Sequence, residues 1–310
     1  MEDYPRTLPE LEKRFSTVVD CRDYLFQLRW PDGFVCPRCG GRKAWPMARG
    51  LWLCGTCRRQ ASVTAGTIFQ DSRLPLTWWF RAMWYVTSQK NGVSAMGVQR
   101  VLGMGSYQTA WAWLHKLRRA MVRPGRDRLR GRVEVDETYI GGEESAPGRG
   151  AVSKSLVVIA AEEAGAGIGR VRLARIPNAS QGVLGSFVAG AVETGSAIHT
   201  DGWAGYNGLA GLGYRHEATT LKGKPADAAV TLLPRVHRVA SLLQRWLLGT
   251  HQGAVSAEHL NYYLDEFTFR FNRRTSQSRG KLFYRLVQQA VQVAPHPYHT
   301  LIRPQPVGDG

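Results

Sequence analysis

The sequence predicts an α/β protein assembled from several units. Three observations predict it: two C-x2-C pairs near the N-terminus, a basic linker at which the composition changes, and short β-branched runs beyond it that alternate with helical patterns. At 310 residues the chain is long for one domain, and a hydrophobic content of 44% is enough to bury real cores.

Residues 1–30 carry one helical pattern, with Phe15, Val18, Val19, Cys21, Tyr24, Leu25 and Leu28 at helical intervals. Residues 31–65 are rich in Gly, Cys and Arg. Here Cys36-Pro-Arg-Cys39 is followed, after 14 residues, by Cys54-Gly-Thr-Cys57. Two such knuckles close a tetrahedral thiolate site for Zn2+ and leave no open position, so the metal is expected to be structural. The alternative is coincidence or redox thiols. Trp45, Trp52 and Leu53 lie between the knuckles, where a small ribbon needs strands and apolar cover. Such a segment has little core of its own, and metal would supply much of its folding energy. Cys21 is the cysteine left over, read as a small buried apolar residue.

Residues 74–121 read as helices separated by glycine-bearing turns. Ser94 can cap a helix over Ala95 to Leu102, Gly103 and Gly105 make a turn, and Ser106 can cap the next helix. That helix carries Tyr107, Gln108, Thr109, His115, Lys116, Arg118 and Arg119. Helix, short turn and helix suit a helix-turn-helix whose second helix meets DNA in the major groove. An ordinary helical hairpin with a basic outer face gives the same pattern.

The linker RPGRDRLRGR spans Arg123 to Arg132 and contains Pro124, Gly125 and Gly131. Strands are then expected over Arg132 to Ile140, ended by Gly141-Gly142, over Ser155 to Glu163 and over Gly169 to Pro177. A helix over Ser180 to Val192, a strand over Ser196 to Gly202 and helices from about Val236 complete the pattern. The order β-β-β-α-β-α is what a ribonuclease-H-like sheet would give, here over residues 132–290, with 291–310 as a tail. Asp136 sits inside the first strand, where a carboxylate among β-branched residues is costly without a compensating cation. Asp201 ends the last strand. If the two strands are neighbours, their carboxylates converge on a site for hard cations, which suits two-metal phosphodiester chemistry. Both aspartates also fit turn or salt-bridge roles.

Lys and Arg outnumber Asp and Glu by 41 to 24, a net charge of +17 that favours a polyanion such as nucleic acid. No apolar run approaches the roughly 20 residues that span a bilayer, and the charged N-terminus has no signal core. A cytoplasmic, nucleoid-associated protein without a membrane partner is expected.

Several stretches together resemble the insertion-sequence transposases of the DDE superfamily, in the ISXO-like group that carries a zinc ribbon in front. They are FVCPRCG, LWLCGTCRRQASVTAGTIFQDSRLPLTWWF, VEVDETYIGG, HTDGWAGY and VHRVASLLQRWLLGTHQGAVSAEHLNYYLDEFTFRFNRR. They occur in order over residues 10 to 290. The resemblance implies double-stranded DNA partners (the element's inverted repeats and target DNA), a homo-oligomer assembled on DNA, and strand cleavage and transfer with Mg2+ or Mn2+. It places the first two catalytic aspartates on Asp136 and Asp201. Relatives' E-x-x-x-S-L-L-K segment falls on Ser241-Leu242-Leu243 and puts the third position on His237, with 35 residues between it and Asp201. Histidine there carries no negative charge and favours borderline metals over Mg2+. Gln244 stands where relatives often have a DNA-contacting lysine, and Arg245 follows it. Glu258 and Glu266 are read as structural. Two alternatives stay open: a DNA-binding protein with a decayed catalytic site, and a structure-selective nuclease on the same fold.

Overall fold

The structure, a computed structural model, describes residues 2–123, 125–141, 154–219, 232–253 and 255–302. Pro124, Gly142 and residues 303–310 of the expected tail lie outside that set. The chain divides into two compact units, residues 1–123 with 276–310, and residues 124–275.

In the first unit the single N-terminal helical pattern resolves into α1 (Leu8–Arg14) and α2 (Val18–Arg29). Thr17 breaks it: the Asp20 backbone N–H donates to the Thr17 hydroxyl and the Asp20 carboxylate accepts from the Thr17 N–H, a reciprocal capping box that starts a new helix. Strands β1 (Ala44–Met47), β2 (Leu51–Cys54) and β3 (Gln60–Ser62) form a small antiparallel sheet. Helices α3 (Leu76–Ser88), α4 (Ala95–Leu102) and α5 (Tyr107–Ala120) follow. Ser94 and Ser106 cap α4 and α5 as expected. Gly103, at φ 65°, makes the left-handed turn between them. Trp79 of α3 stacks on Trp113 of α5, ring centroids 3.8 Å apart, which locks the first and third helices of this group together.

The second unit holds β4 (Arg132–Ile140), β5 (Ser155–Ala164), β6 (Gly167–Ile176), α6 (Gln181–Ala191), β7 (Ala197–Thr200), β8 (Arg215–Ala218), α7 (Pro234–His251) and α8 (Leu260–Phe271). The sheet order is β6-β5-β4-β7-β8. β4, β5 and β6 pair antiparallel, while β4, β7 and β8 run parallel. β8 has no counterpart in the sequence reading, because three of its four residues RHEA are polar and it is mostly exposed on the sheet edge. Alternation along β4 and β5 divides two cores. Val133, Val135, Val158 and Ala160 pack with Leu184 and Val188 of α6 on one face. Val157, Ile159 and Ala161 pack with Val236, Val239 and Leu243 of α7 and with Phe267 of α8 on the other.

Two expected boundaries move. The stretch after residue 124 is not a free linker throughout: Leu129 is fully buried, and its N–H donates to the Ala191 carbonyl while its carbonyl accepts from Glu193. The catalytic segment expected to reach residue 290 ends earlier, since α9 (Arg279–Ala290) and α10 (Tyr298–Ile302) belong to the first unit. Phe283 of α9 packs edge-on against Phe80 of α3, so burial of this apolar stripe draws the segment there.

Candidate active site and metal centre

The two knuckles of the first unit are built alike. Cys36 N–H donates to Gly41, and Gly40 N–H returns to Cys36; Cys54 N–H donates to Arg59, and Arg58 N–H returns to Cys54. Gly40 and Arg58 hold the same left-handed turn position, at φ 71° and 57°. All four Sγ atoms of Cys36, Cys39, Cys54 and Cys57 lie within 4.8 Å of one another. The Cys36–Cys57 and Cys39–Cys54 sulfur separations are both 3.6 Å, close to the edge of about 3.8 Å that a ZnS4 tetrahedron with 2.3 Å bonds requires. Backbone N–H groups turn inward too. Those of Cys57 and Thr56 bring the Cys54 thiol down to about 6, and those of Arg38 and Cys39 lower that of Cys36, while the neighbouring cysteines push Cys39 up to about 12. Four sulfurs at near-tetrahedral spacing fit zinc. Cys21 stands apart, fully buried, its thiol pushed up to about 12 by that burial.

In the second unit, parallel pairing sets Arg132 opposite Ala197 and Glu134 opposite His199. Asp136 lies two residues beyond that last pair on β4, and Asp201 follows the end of β7, near enough for its charge to act on Asp136. Asp136 lies on the α7 face, and His237 Nε2 sits 3.7 Å from its Oδ2. That nitrogen is buried and has no hydrogen-bond partner. Burial first, then the negative charges of Glu137 and Asp201, push the Asp136 carboxyl up to about 7. Burial also lowers the pKa of His237, although Glu134 and Asp201 act the other way. A carboxylate crowded by like charge and an unpartnered imidazole nitrogen beside it suit a divalent cation. Among the described residues, however, the four cysteines alone bring their ligand atoms mutually within 4.8 Å.

What places His237 is a residue the sequence reading passed over. Glu134, nearly fully buried, accepts the backbone N–H groups of Arg235 (2.7 Å) and Val236 (3.0 Å) and the Arg235 guanidinium (2.8 Å). It satisfies the orphan donors of the α7 N-terminus, where negative charge is also favoured. The signal was present: in Val133-Glu134-Val135-Asp136, period two puts Glu134 on the face of Asp136. Glu137 was passed over as well. It faces the opposite side, where Tyr206 donates to it at 2.6 Å, and burial raises its pKa.

The other expected contacts divide. Tyr107, Gln108 and Arg119 are exposed on α5, and Thr109 and Lys116 are half-buried. Arg118 is a correction. It is 2% exposed, because it follows Leu114 by one turn on the packed face of α5, so its guanidinium is not presented to DNA. Gln244 and Arg245 are exposed on α7. Gln244 lies seven residues after His237 on the same face, about 10 Å along the axis. Glu266 is fully buried and paired with Arg270 at 2.7 Å, and Glu258 is exposed; neither joins the aspartates.

Residues 128–272 match the ISXO2-like transposase domain, and residues 17–60 match the transposase zinc-ribbon domain. Together they span more than half of the chain. Over 293 residues it is 26% identical to an uncharacterized protein in transposable element ISH50 of Halobacterium salinarum, a match covering 87% of this chain and 95% of that one. A simian T-cell lymphotropic virus intasome, solved in complex with a phosphatase regulatory subunit, gives a TM-score of 0.31 at 14% identity, over 59% of this chain and 66% of that one, too low to bear on the fold. The two matched domains, in this order, define a transposase of an insertion element. The chain belongs to the ISXO2-like transposases with an N-terminal zinc ribbon. No helix among the described residues is long and apolar enough to cross a membrane.

Proposed function

We propose that the protein cuts its element's ends and joins them to target DNA, using Asp136, Asp201 and His237 as the catalytic set. The observation that carries this is the buried, unpartnered His237 Nε2 at 3.7 Å from Asp136, on a helix whose start is fixed by Glu134. The strand order, with antiparallel β6-β5-β4 followed by parallel β7 and β8, and with Asp136 on β4 and Asp201 just past β7, supports a ribonuclease-H-like sheet. Asp136 and Asp201 would hold Mg2+ or Mn2+, with His237 as a third ligand. Such ions, when bound, activate the attacking oxygen and stabilise the leaving one. The chain's own part is to keep two carboxylates together against their mutual repulsion and to aim one neutral imidazole at them. Zn2+ in the cysteine cage would be structural. Helices α4 and α5 act as the helix-turn-helix, with Tyr107, Gln108, Thr109, Lys116 and Arg119 toward DNA, and Gln244 and Arg245 meet the strand near the cut. Two copies or more assemble on DNA.

The test uses the full chain and a duplex carrying the inverted repeat that flanks the gene. Strand cleavage is expected with Mn2+ or Mg2+, and Asp136→Asn or Asp201→Asn should abolish it while end binding persists. Cleavage that survives both substitutions would overturn the assignment. Wild-type end binding with no cleavage under either metal would favour the decayed-site alternative.

A further inference from the structure

Two exposed aromatics follow the aspartates closely in sequence, and the transposase reading does not use them. Trp203 follows Asp201 by two residues and is 51% exposed; Tyr139 follows Asp136 by three and is 62% exposed. Exposed single aromatics are ordinary, but this tryptophan is fixed. Its backbone N–H donates to Asp201 Oδ1 at 2.9 Å, and its indole N–H donates to the Ala179 carbonyl at 3.0 Å. Gly205 makes room for that contact: a Cβ there would stand 2.4 Å from the Ala179 oxygen and 2.8 Å from the indole nitrogen. The residue is thus anchored by one backbone and one indole hydrogen bond, and the backbone at Gly205 is cleared for the ring.

Both rings line one cavity of about 470 Å³, with Glu137, Lys154 and Arg175 also in the wall. Register explains the floor, because Tyr139 pairs with Leu156 and Leu156 with Ile176 across three strands. The size lies within the range of about 300–1,000 Å³ typical of small-ligand pockets. Rigid aromatic faces beside cations are the combination that holds single-stranded nucleic acid, since every base offers a π-face and every linkage a phosphate.

We propose that this cavity is a binding site for one unstacked base of the DNA strand being processed, stacked on Trp203 and Tyr139, with Lys154 and Arg175 on the adjoining phosphates. The proposal rests on the transposase reading for the presence of a DNA strand at the aspartates. Extruding a base has an unstacking cost of a few kcal/mol, least for an unpaired nucleotide. The site should therefore prefer frayed or single-stranded ends to paired ones.

The test is photocrosslinking. The full chain is bound to a synthetic duplex with a short single-stranded 3′ extension that carries 5-iodouracil at one extension position at a time. A blunt duplex of equal length serves as control. The expected result is a crosslink mapped by mass spectrometry to Trp203 or Tyr139, from the extension and not from the blunt end. Trp203→Ala and Gly205→Ala should each weaken binding of the extended duplex by about tenfold and leave the blunt duplex nearly unchanged, whereas Trp203→Phe should stay near wild type. Bound DNA that crosslinks elsewhere and never to these two rings would overturn the proposal, as would equal losses on both duplexes. Metal-dependent cleavage of flanking-repeat DNA is read separately. A crosslink at Trp203 without such cleavage keeps the pocket and removes the catalytic reading; cleavage without the crosslink does the reverse.

Discussion

The cysteine cage and the aspartate–histidine cluster each gather groups suited to a metal, but they gather them by opposite means. The cage draws four ligands from a span of 22 residues, Cys36 to Cys57, each pair inside one tight turn. The cluster draws Asp136, Asp201 and His237 from three elements, brought together by a parallel strand pairing and a capped helix. The cage has three short strands around it and little core. The cluster stands on a sheet with packed helices on both faces. Metal should therefore be part of the fold in the first and a guest in the second.

The largest expected effect tests that contrast directly. Removing zinc with a chelator, or Cys54→Ser, takes away a binding free energy on the order of 10–16 kcal/mol. Proteolysis should then open residues 31–65, while amide protection in β4 and β5 persists. Loss of protection in both regions together would break the distinction.

Asp136 offers the converse. Its carboxyl rises from 3.8 to about 7 on folding, so the folded state resists ionisation of this group. The metal-free protein then loses stability as pH rises from about 4 to about 7, and carries the whole penalty above that. Asp136→Asn removes the penalty. It should raise metal-free thermal stability, with a gap that widens from pH 5 to pH 8 toward a ceiling of about 4 kcal/mol. It should also erase the stabilisation that Mn2+ gives the wild type. A constant gap across pH would mean that neither burial nor like charge raises the Asp136 carboxyl.

Glu134→Gln probes the capped helix. Breaking one partner of a buried charge pair costs about 3–5 kcal/mol, and Arg235 keeps its second carboxylate, Glu163, which places the effect at the low end. Cleavage should fall with it, and Glu134→Asp, which keeps the charge on a shorter arm, should retain part of both. Unchanged melting would show that the α7 N-terminus does not depend on Glu134. The smallest effect belongs to the cage: Arg58→Gly should stabilise the zinc-loaded ribbon by about 0.5–1 kcal/mol, since the left-handed turn strains a non-glycine residue.

The same contrast governs what could be read from residues alone. Cysteine spacing is a local code, and Cys36, Cys39, Cys54 and Cys57 meet as their intervals demand. The caps Ser94 and Ser106 and the strand of Asp136 were equally local. His237 came from motif resemblance, because nothing in its neighbourhood marks it, and only the packing of α7 brings it to Asp136. Glu134 lay in plain alternation, but its partner is 101 positions away. Arg118 looked like a contact because charge suggested surface, and the apolar face of α5 overrode that. β8 was hidden because an exposed edge strand need not be hydrophobic.

The return of α9 to the first unit sets an order of synthesis. The second unit is inserted within the first, so the ribosome makes all of residues 124–275 before Phe283 exists to meet Phe80. The five-stranded sheet can close while the N-terminal unit still lacks its final helices. A message broken before codon 276 therefore yields a chain with both aspartates and an unfinished N-terminal unit.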